Sequence, residues 1–134
     1  MITKRCAKYR ARLVRKFRKV TGVGIFNCRK VAGSDSYSQH AWGNAADIFG
    51  PQFTRAAIVK WTLGRWVRRH YKIHLVIHQE TYWEYPDFRP HHYTGVPHST
   101  HVHVDFLPYH EGIPPCATAR FDDEGQETIT DASD

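Results

Sequence analysis

Residues 101–107 read HVHVDFL, and this stretch decides the fold because its polar and apolar side chains alternate. Successive side chains of a strand point to opposite faces of a sheet, so His101, His103 and Asp105 share one face and the apolar residues between them share the other. Imidazole and carboxylate groups left unpaired in an apolar interior would each cost roughly a few kcal/mol. We therefore predict a strand that covers the core with one face and lines a cleft or a metal site with the other.

Two helices are predicted upstream of this strand. Residues 4–20 space their apolar side chains three to four apart among nine bases, which predicts a helix with one apolar stripe and one basic face. Residues 53–70 predict the main core helix, with Thr54 as its N-cap and with Trp61 and Trp66 as packing residues. The basic face is interpreted as a solvated helix surface that can also bind a polyanion.

The remaining segments complete the predicted fold. Residues 73–83 predict a second strand, and residues 24–33 predict a short strand followed by a loop. Because the strands are few and the last connection is a loop, we predict an α+β fold with a small, mostly antiparallel sheet flanked by helices. Residues 1–121 are predicted to form a single domain, whereas residues 122–134 carry six acids and no base and are predicted to form a disordered acidic tail.

Charge and cysteine content narrow the functional class. Residues 1–121 carry 19 Lys and Arg against seven Asp and Glu, a net charge of +12 that attracts polyanions such as cell-wall polymers or nucleic acids. No stretch approaches the roughly 18 consecutive apolar residues of a membrane-spanning helix, and the first 20 residues lack the apolar segment of a secretion signal. Cys6, Cys28 and Cys116 show no CxxC spacing, so we expect reduced structural thiols and at most one bridge.

A second polar segment supplies partners for the strand histidines. Residues 38–47 read SQHAWGNAAD, with His40 and Asp47 seven positions apart and Gly43 between them as a possible backbone turn. Two neutral imidazoles and one carboxylate leave the fourth position of a tetrahedral Zn²⁺ open for water, which is the arrangement of catalytic zinc sites. The two polar segments together therefore predict a zinc site.

Both segments resemble motifs of one enzyme family. SQHAWGNAAD resembles the SxHxxGxAxD signature of the LAS-type zinc metallopeptidases, which include D-alanyl-D-alanine carboxypeptidases and L-alanyl-D-glutamate endopeptidases. Residues 97–106, PHSTHVHVDF, resemble the closing His-x-His strand of that family, especially in lysins of bacteriophages that infect actinobacteria. The resemblance implies three zinc ligands: His40, Asp47 and His103. It implies that His101 acts as the general base or stabilises the oxyanion, with His98 as an auxiliary catalytic histidine.

The same resemblance implies a substrate and a place of action. It implies zinc-dependent hydrolysis of an amide bond in peptidoglycan stem peptides, by an endopeptidase or a D,D-carboxypeptidase. Arg29, Ser38 and Tyr93 are the residues that we expect to bind the substrate. We expect a monomeric, phage-type lytic enzyme that is made in the host cytoplasm without a signal peptide and acts at the bacterial cell wall, either as a released lysin or as a virion component. Its basic N-terminal helix is expected to bind anionic cell-wall polymer rather than nucleic acid.

Two alternatives stay open at this point. A metal-dependent endonuclease of the His-hydrophobe-His type would explain residues 101–103 and the basic charge, but it would not explain the complete SQHAWGNAAD motif. A non-catalytic module that binds the cell wall would keep the same metal ligands, since ligand geometry can survive the loss of activity. His101 favours the enzyme over this module.

Overall fold

Helices cover one face of a central sheet. The computed structural model describes residues 2–117, 119–121 and 127–129. Its helices are α1 (Lys4–Lys16), α2 (Gln52–Thr62) and α3 (Arg65–His70), with 3-10 helices at Gln39–Trp42 and Pro115–Ala117. Its strands are β1 (Gly22–Gly24), β2 (Ala45–Phe49), β3 (Ile73–Gln79), β4 (Thr81–Glu84), β5 (His91–His92), β6 (His98–Phe106), β7 (Ala119–Phe121) and β8 (Glu127–Ile129).

The main sheet has β6 near its middle. Among the described residues, six strands follow the order β1-β2-β6-β3-β4-β5, and every neighbouring pair is antiparallel. Strands β7 and β8 form a separate antiparallel pair. The predicted α+β fold with a small, mostly antiparallel sheet is therefore confirmed.

The core lies between the helices and the apolar face of the sheet. Tyr9 and Leu13 of α1 and Ile58 of α2 are fully buried, as are Val104 and Phe106 of β6. Burial of a side chain of this size stabilises the folded state by about 1.5–3 kcal/mol. The prediction that the apolar residues of β6 face the core is thus confirmed, which leaves the opposite face of the strand for polar groups.

Residues 53–70 are largely helical as predicted, but the prediction of one continuous helix is wrong, because the structure divides the region into α2 and α3. The break follows Leu63, and Gly64 takes an extended conformation (φ −60°, ψ 143°) as the N-cap of α3. Glycine is unfavourable in helix interiors, so the break falls at a residue that helices disfavour. A side chain would also be crowded here, because a Cβ at Gly64 would lie 3.0 Å from the Trp61 carbonyl oxygen. Pro51, not Thr54, is the N-cap of α2.

The two tryptophans of this region differ in their surroundings. Trp61 packs against the core, with its ring 5.6 Å from that of Tyr9. Trp66 is 56% exposed and stacks on His70 at 4.4 Å, so it packs at the surface and not in the core. Helix α1 ends at Lys16, four residues before the predicted end. Within the described residues, no helix has the length and apolar composition needed to cross a bilayer.

The predicted strand over residues 73–83 is also wrong, since it is the tight hairpin of β3 and β4. The turn uses Gln79, whose φ of 55° lies in the left-handed region. Part of the predicted acidic tail, Glu127–Ile129, forms β8. The rest of that tail, residues 122–126 and 130–134, lies outside the described residues.

A disulfide joins Cys28 to Cys116, with the two Cα atoms 6.1 Å apart. The expectation of reduced thiols is therefore wrong for this pair, and Cys6 is the free, buried cysteine. The two cysteines are 88 positions apart in sequence, so only tertiary packing brings them together. Cys116 lies in the second 3-10 helix, which packs on the first through a contact from its sulfur to the Ala41 carbonyl oxygen at 3.8 Å.

Candidate metal centre

Strand pairing brings the two polar segments of the sequence together. In the β2–β6 ladder, Asp47 lies opposite His103, Phe49 opposite His101, and Ala45 opposite Asp105. Directly opposed residues project from the same face of a sheet, so the carboxylate and the imidazole are neighbours. The distance from Asp47 Oδ1 to His103 Nδ1 is 3.3 Å.

His40 reaches the same point from the first 3-10 helix. Ser38 is the N-cap of this helix, and its hydroxyl oxygen accepts a hydrogen bond from the His40 backbone N–H at 3.3 Å. Gly43 ends the helix in the left-handed conformation (φ 65°), which a residue with a side chain adopts at a cost. This turn leads directly into β2 and leaves His40 Nε2 3.1 Å from Asp47 Oδ1.

One nitrogen of His40, one nitrogen of His103 and one oxygen of Asp47 all lie within 4.8 Å of one another. The three residues come from the first 3-10 helix, β6 and β2, on the face of the sheet opposite the core. Donors this close can share one cation. The structure therefore brings together the predicted ligand set as a group that could hold a metal ion.

Hydrogen bonds orient both imidazoles for such a role. His40 Nδ1 donates to the Ile25 carbonyl oxygen at 2.7 Å, so Nε2 of the neutral ring carries the lone pair that faces Asp47. That buried Nε2 has no hydrogen-bond partner among the described residues, which is the condition expected of a metal ligand. His103 Nε2 donates to Asp105 Oδ2 at 2.8 Å, which turns Nδ1 toward Asp47. The donors present therefore fit a bound cation.

A chain of polar contacts continues behind His103. Asp105 is 2% exposed, and its Oδ1 accepts a hydrogen bond from His74 Nδ1 at 2.5 Å. His74 Nε2 in turn lies 3.4 Å from Glu84 Oε2 on β4. Asp105 thus holds the imidazole of His103, one of the three predicted metal ligands, in place.

The sequence analysis assigned no role to His74. The ladder between β3 and β6 shifts register between Ile73 and Leu75, so His74 is an extra residue that does not follow the alternation of its strand. An irregularity of this kind redirects one side chain. No signal in the local sequence marks it.

Mutual hydrogen bonds shift the pKa values of the group. Burial lowers the pKa of His103, but its hydrogen bonds to Asp105 and Asp47 outweigh burial and raise the pKa to about 9. Burial raises the pKa of the Asp47 carboxyl, yet its hydrogen bond with His103 and its close contact with the His40 imidazole hold it well below its usual range. The pKa of Asp105 is likewise lowered, against its burial, by His103 and His74. In the absence of a cation, the negative carboxylates thus stabilise a proton on His103.

The predicted catalytic histidines stand beside this group. His101 Nε2 is 3.7 Å from Asp47 Oδ1, and its ring lies 4.8 Å from that of His98. Burial and the nearby charges of His103 and His101 lower the pKa of His98 to about 4. Tyr93 packs its ring 5.3 Å from that of His98. These residues lie next to the three metal ligands, where a bound molecule could contact them. Their catalytic and substrate-binding roles stay predictions.

Three other residues lie beside the site: Arg29 and Ser38, which were predicted, and Arg55, which was not. Arg29 is exposed. Burial lowers the pKa of His101 against the opposing charge of Asp47, and the charges of His103, His40 and Arg29 add to the lowering. Arg55 of α2, which sequence reasoning missed, donates from Nη2 to the Ser99 carbonyl oxygen at 2.8 Å and from Nε to His78 Nε2 at 3.3 Å. It therefore anchors the start of β6 to α2. Ser38 is 5% exposed and serves the turn, so its predicted contact with substrate also stays a prediction.

Comparison with known proteins identifies a different family from the one that the motifs resemble. Residues 3–117 match the family model described as Extensin-like protein C-terminus. No curated protein and no solved structure matches the chain. The identification as a LAS-type zinc metallopeptidase is therefore wrong, and so is the assignment as a peptidoglycan hydrolase that rested on it. The physical reason is that five fixed positions specify a turn and two ligands, which unrelated functions can share.

Proposed function

Because the chain belongs to the family described as Extensin-like protein C-terminus, we propose that it is a non-catalytic, metal-bearing module that binds anionic cell-wall polymer. The observation that carries the proposal is the convergence of His40, Asp47 and His103 in a chain of this family. Of the functions that the sequence left open, the wall-binding module accounts for both the ligand group and the family. A resemblance to extensin-type proteins favours a cell-wall setting for this module.

Zn²⁺ is the metal that suits these ligands best. Two imidazole nitrogens and one carboxylate oxygen form a donor set that zinc accepts in tetrahedral geometry, with one position left for an outside ligand. At that position the ion would supply a positive centre for a carboxylate or phosphate oxygen of the polymer. His103 would give up the proton that its carboxylate neighbours stabilise, so binding is expected to release a proton.

A second surface supports the choice of an anionic polymer. We call it the basic face, and its exposed members are Lys4, Lys8, Arg12, Arg15, Lys16, Arg65 and Arg69. Three shallow grooves lie along it, and Trp61, Trp66 and His70 are among the residues that line them. The Arg12 guanidinium lies 5.6 Å from the ring centroid of Trp66, which joins α1 to α3. Clustered cations on two helices raise the local concentration of a polyanion and can track its backbone.

The disulfide is consistent with this setting. Bridges such as Cys28–Cys116 persist in oxidising environments outside the cytosol, which include the cell wall. At the cell wall the bridge would therefore stay oxidised.

Sedimentation with purified cell walls tests the proposed binding. The double variant Arg12→Glu/Arg15→Glu removes cations from the basic face, and Lys72→Glu/Arg89→Glu makes the same change in net charge at exposed positions elsewhere. We expect the first variant to lose most of its binding at physiological salt, since the Debye length is then about 8 Å and local charge dominates. The second variant should bind nearly as the unmodified protein does. Equal loss in both variants would reduce the effect to net charge and contradict a dedicated surface.

Metal content is tested in parallel. Elemental analysis should find about one zinc per chain, and Asp47→Ala should lower it while Asp87→Ala, in an exposed loop, should not. Full zinc occupancy in Asp47→Ala would refute the ligand assignment. Enzyme activity stays a prediction. Free amines are therefore measured after incubation of the protein with the same cell walls. New amines that depend on Asp47 would overturn the non-catalytic proposal, whereas saturable binding without new amines supports it.

A further inference from the structure

A groove with a cavity of about 440 Å³ is lined by neither the metal ligands nor the members of the basic face. Its walls are the loop that contains Asp35 and Tyr37, the residue Trp42, and the segment from Tyr109 to Ile113. We propose that this aromatic groove binds a primary ammonium group of a cell-wall component, carried either by an amino sugar or by a diamino-acid side chain. The cell-wall origin of the ligand rests on the proposed function, whereas the chemistry of recognition rests on the groove itself.

The charge of the groove is opposite to that of the rest of the chain. Nine residues line it, and two of them, Asp35 and Glu111, are carboxylates. None of the nine is Lys or Arg, although residues 1–121 contain 19 such bases. The groove does contain the imidazole of His110, and Lys30 Nζ lies 5.7 Å from the ring centroid of Tyr37. An ammonium group is still drawn to the two carboxylates, whereas an anionic ligand is drawn to the more strongly basic surfaces.

Aromatic rings give the groove the rest of its chemistry. Tyr37, Trp42 and Tyr109 line it, and Tyr109 is 45% exposed. Trp42 stacks on His110 with the ring centroids 5.6 Å apart and the planes inclined by 19°, so its orientation is fixed. Aromatic faces attract ammonium groups, and their carbon surfaces pack against the apolar parts of a sugar or an aliphatic side chain. The combination of rings with carboxylates is selective for a cation on a partly apolar carrier.

The two walls of the groove are fastened to each other. The Cys28–Cys116 disulfide ties the loop before Tyr37 to the segment after Tyr109. Gln39 adds a pair of hydrogen bonds to His110, donating from Nε2 to its carbonyl oxygen at 2.8 Å and accepting from its backbone N–H at 3.0 Å. A groove that is ordered before the ligand arrives loses less entropy on binding. These cross-links form a preorganised site from two loops that are distant in sequence.

Calorimetric titration of the full-length oxidised protein tests the proposal with two pairs of probes. The first pair is a glucosamine tetrasaccharide and its fully N-acetylated form, and the second is a lysine-containing tetrapeptide and its Nε-acetylated form. Acetylation removes the positive charge and leaves most of the carrier intact. We expect each ammonium probe that binds to bind at least about tenfold more tightly than its acetylated partner, as expected for a cation between aromatic and carboxylate groups. Binding by the sugar alone, by the peptide alone or by both supports the proposal and identifies the source.

Variants locate the binding in the groove. Asp35→Asn/Glu111→Gln should weaken binding of the ammonium probe at least about threefold, the size expected of two exposed ion pairs, and Tyr109→Leu should also weaken it. The control Glu80→Gln/Asp87→Asn removes two carboxylates that do not line the groove and should leave affinity unchanged. Equal binding of acetylated and free probes, no binding of either probe, or full affinity in Asp35→Asn/Glu111→Gln would each overturn the proposal.

The two proposals fail separately. If Asp35→Asn/Glu111→Gln keeps full ammonium affinity while the protein still sediments with cell walls through its basic face, the groove assignment falls and the wall-binding function stands. If the protein binds the ammonium probes but does not sediment with walls, the groove stands and the proposed function falls.

Discussion

Replacement of His74 by leucine should weaken metal binding although His74 is not a ligand. The substitution removes the Nδ1–H that Asp105 Oδ1 accepts at 2.5 Å. Within the described part of the chain, the buried carboxylate then keeps only its bond to His103. Asp105 is 2% exposed, and water cannot easily replace the lost donor. Loss of such an outer partner typically reduces metal affinity by about 10- to 100-fold, or about 1.4–2.7 kcal/mol.

The assay is competition for zinc between the metal-free protein and a chromophoric chelator, with circular dichroism to verify folding. His74→Asn is the conservative variant, because its amide N–H can occupy the place of Nδ1, and it should recover part of the affinity. His92→Leu, at an exposed histidine of β5, is the matched control and should bind zinc as the unmodified protein does.

A double-mutant cycle then separates positioning from general destabilisation. If His74 acts through Asp105, the loss in His74→Leu/Asp105→Asn should be clearly smaller than the sum of the two single losses. Additive losses, or unchanged affinity in a folded His74→Leu protein, would refute the reasoning.

Three further predictions concern stability. The disulfide between Cys28 and Cys116 spans 88 positions, and closing a loop of this length contributes about 4.6 kcal/mol to stability at 25 °C through entropy. Reduction of the bridge, or Cys28→Ser/Cys116→Ser, should therefore lower the free energy of unfolding in urea by up to that amount. Unchanged urea midpoints on reduction would contradict the bridge. Burial raises the pKa of the Cys6 thiol from 9.0 to about 12, so the folded chain keeps a proton that the unfolded chain loses, and stability should fall as pH rises from about 9 toward 12. Cys6→Ala should show a smaller fall over the same range. Tyr9→Phe removes a buried hydroxyl that lies 2.7 Å from Thr62 Oγ1 and should cost about 1–3 kcal/mol in thermal or urea unfolding, whereas Tyr9→Phe/Thr62→Val should recover much of that loss.

Local sequence patterns were enough to predict the strand and the turn that carry the candidate metal ligands. The alternation in residues 101–107 predicted a strand with an apolar and a polar face, and β6 has both. The spacing of His40, Gly43 and Asp47 predicted a turn that carries two ligands, and the first 3-10 helix ends at Gly43 in the left-handed conformation as that turn requires. Neither pattern could identify the family, because a ligand turn and a His-x-His strand specify geometry and not the reaction.

Two breaks in secondary structure, at Gly64 and at Gln79, were not predicted, and for the same reason. The periodic apolar residues over 53–70 continue across Gly64, yet Gly64 takes an extended conformation and divides the helix. The apolar run over 73–83 hides a tight turn at Gln79, because β-forming residues occupy both arms of the hairpin. In both cases a segment of uniform composition forms two secondary-structure elements, so its composition does not reveal the break between them.

The sequence by itself determined which side chains are available for a metal, how they alternate along β6 and how strongly basic the chain is, since these depend on residue identity and on neighbours a few positions away. Only the tertiary structure decided that Asp47 lies opposite His103, that His74 supports Asp105 from an irregular position in β3, and that Cys28 is bonded to Cys116. Those contacts join residues 31 to 88 positions apart, and they depend on strand register and on packing between loops, which no local pattern encodes.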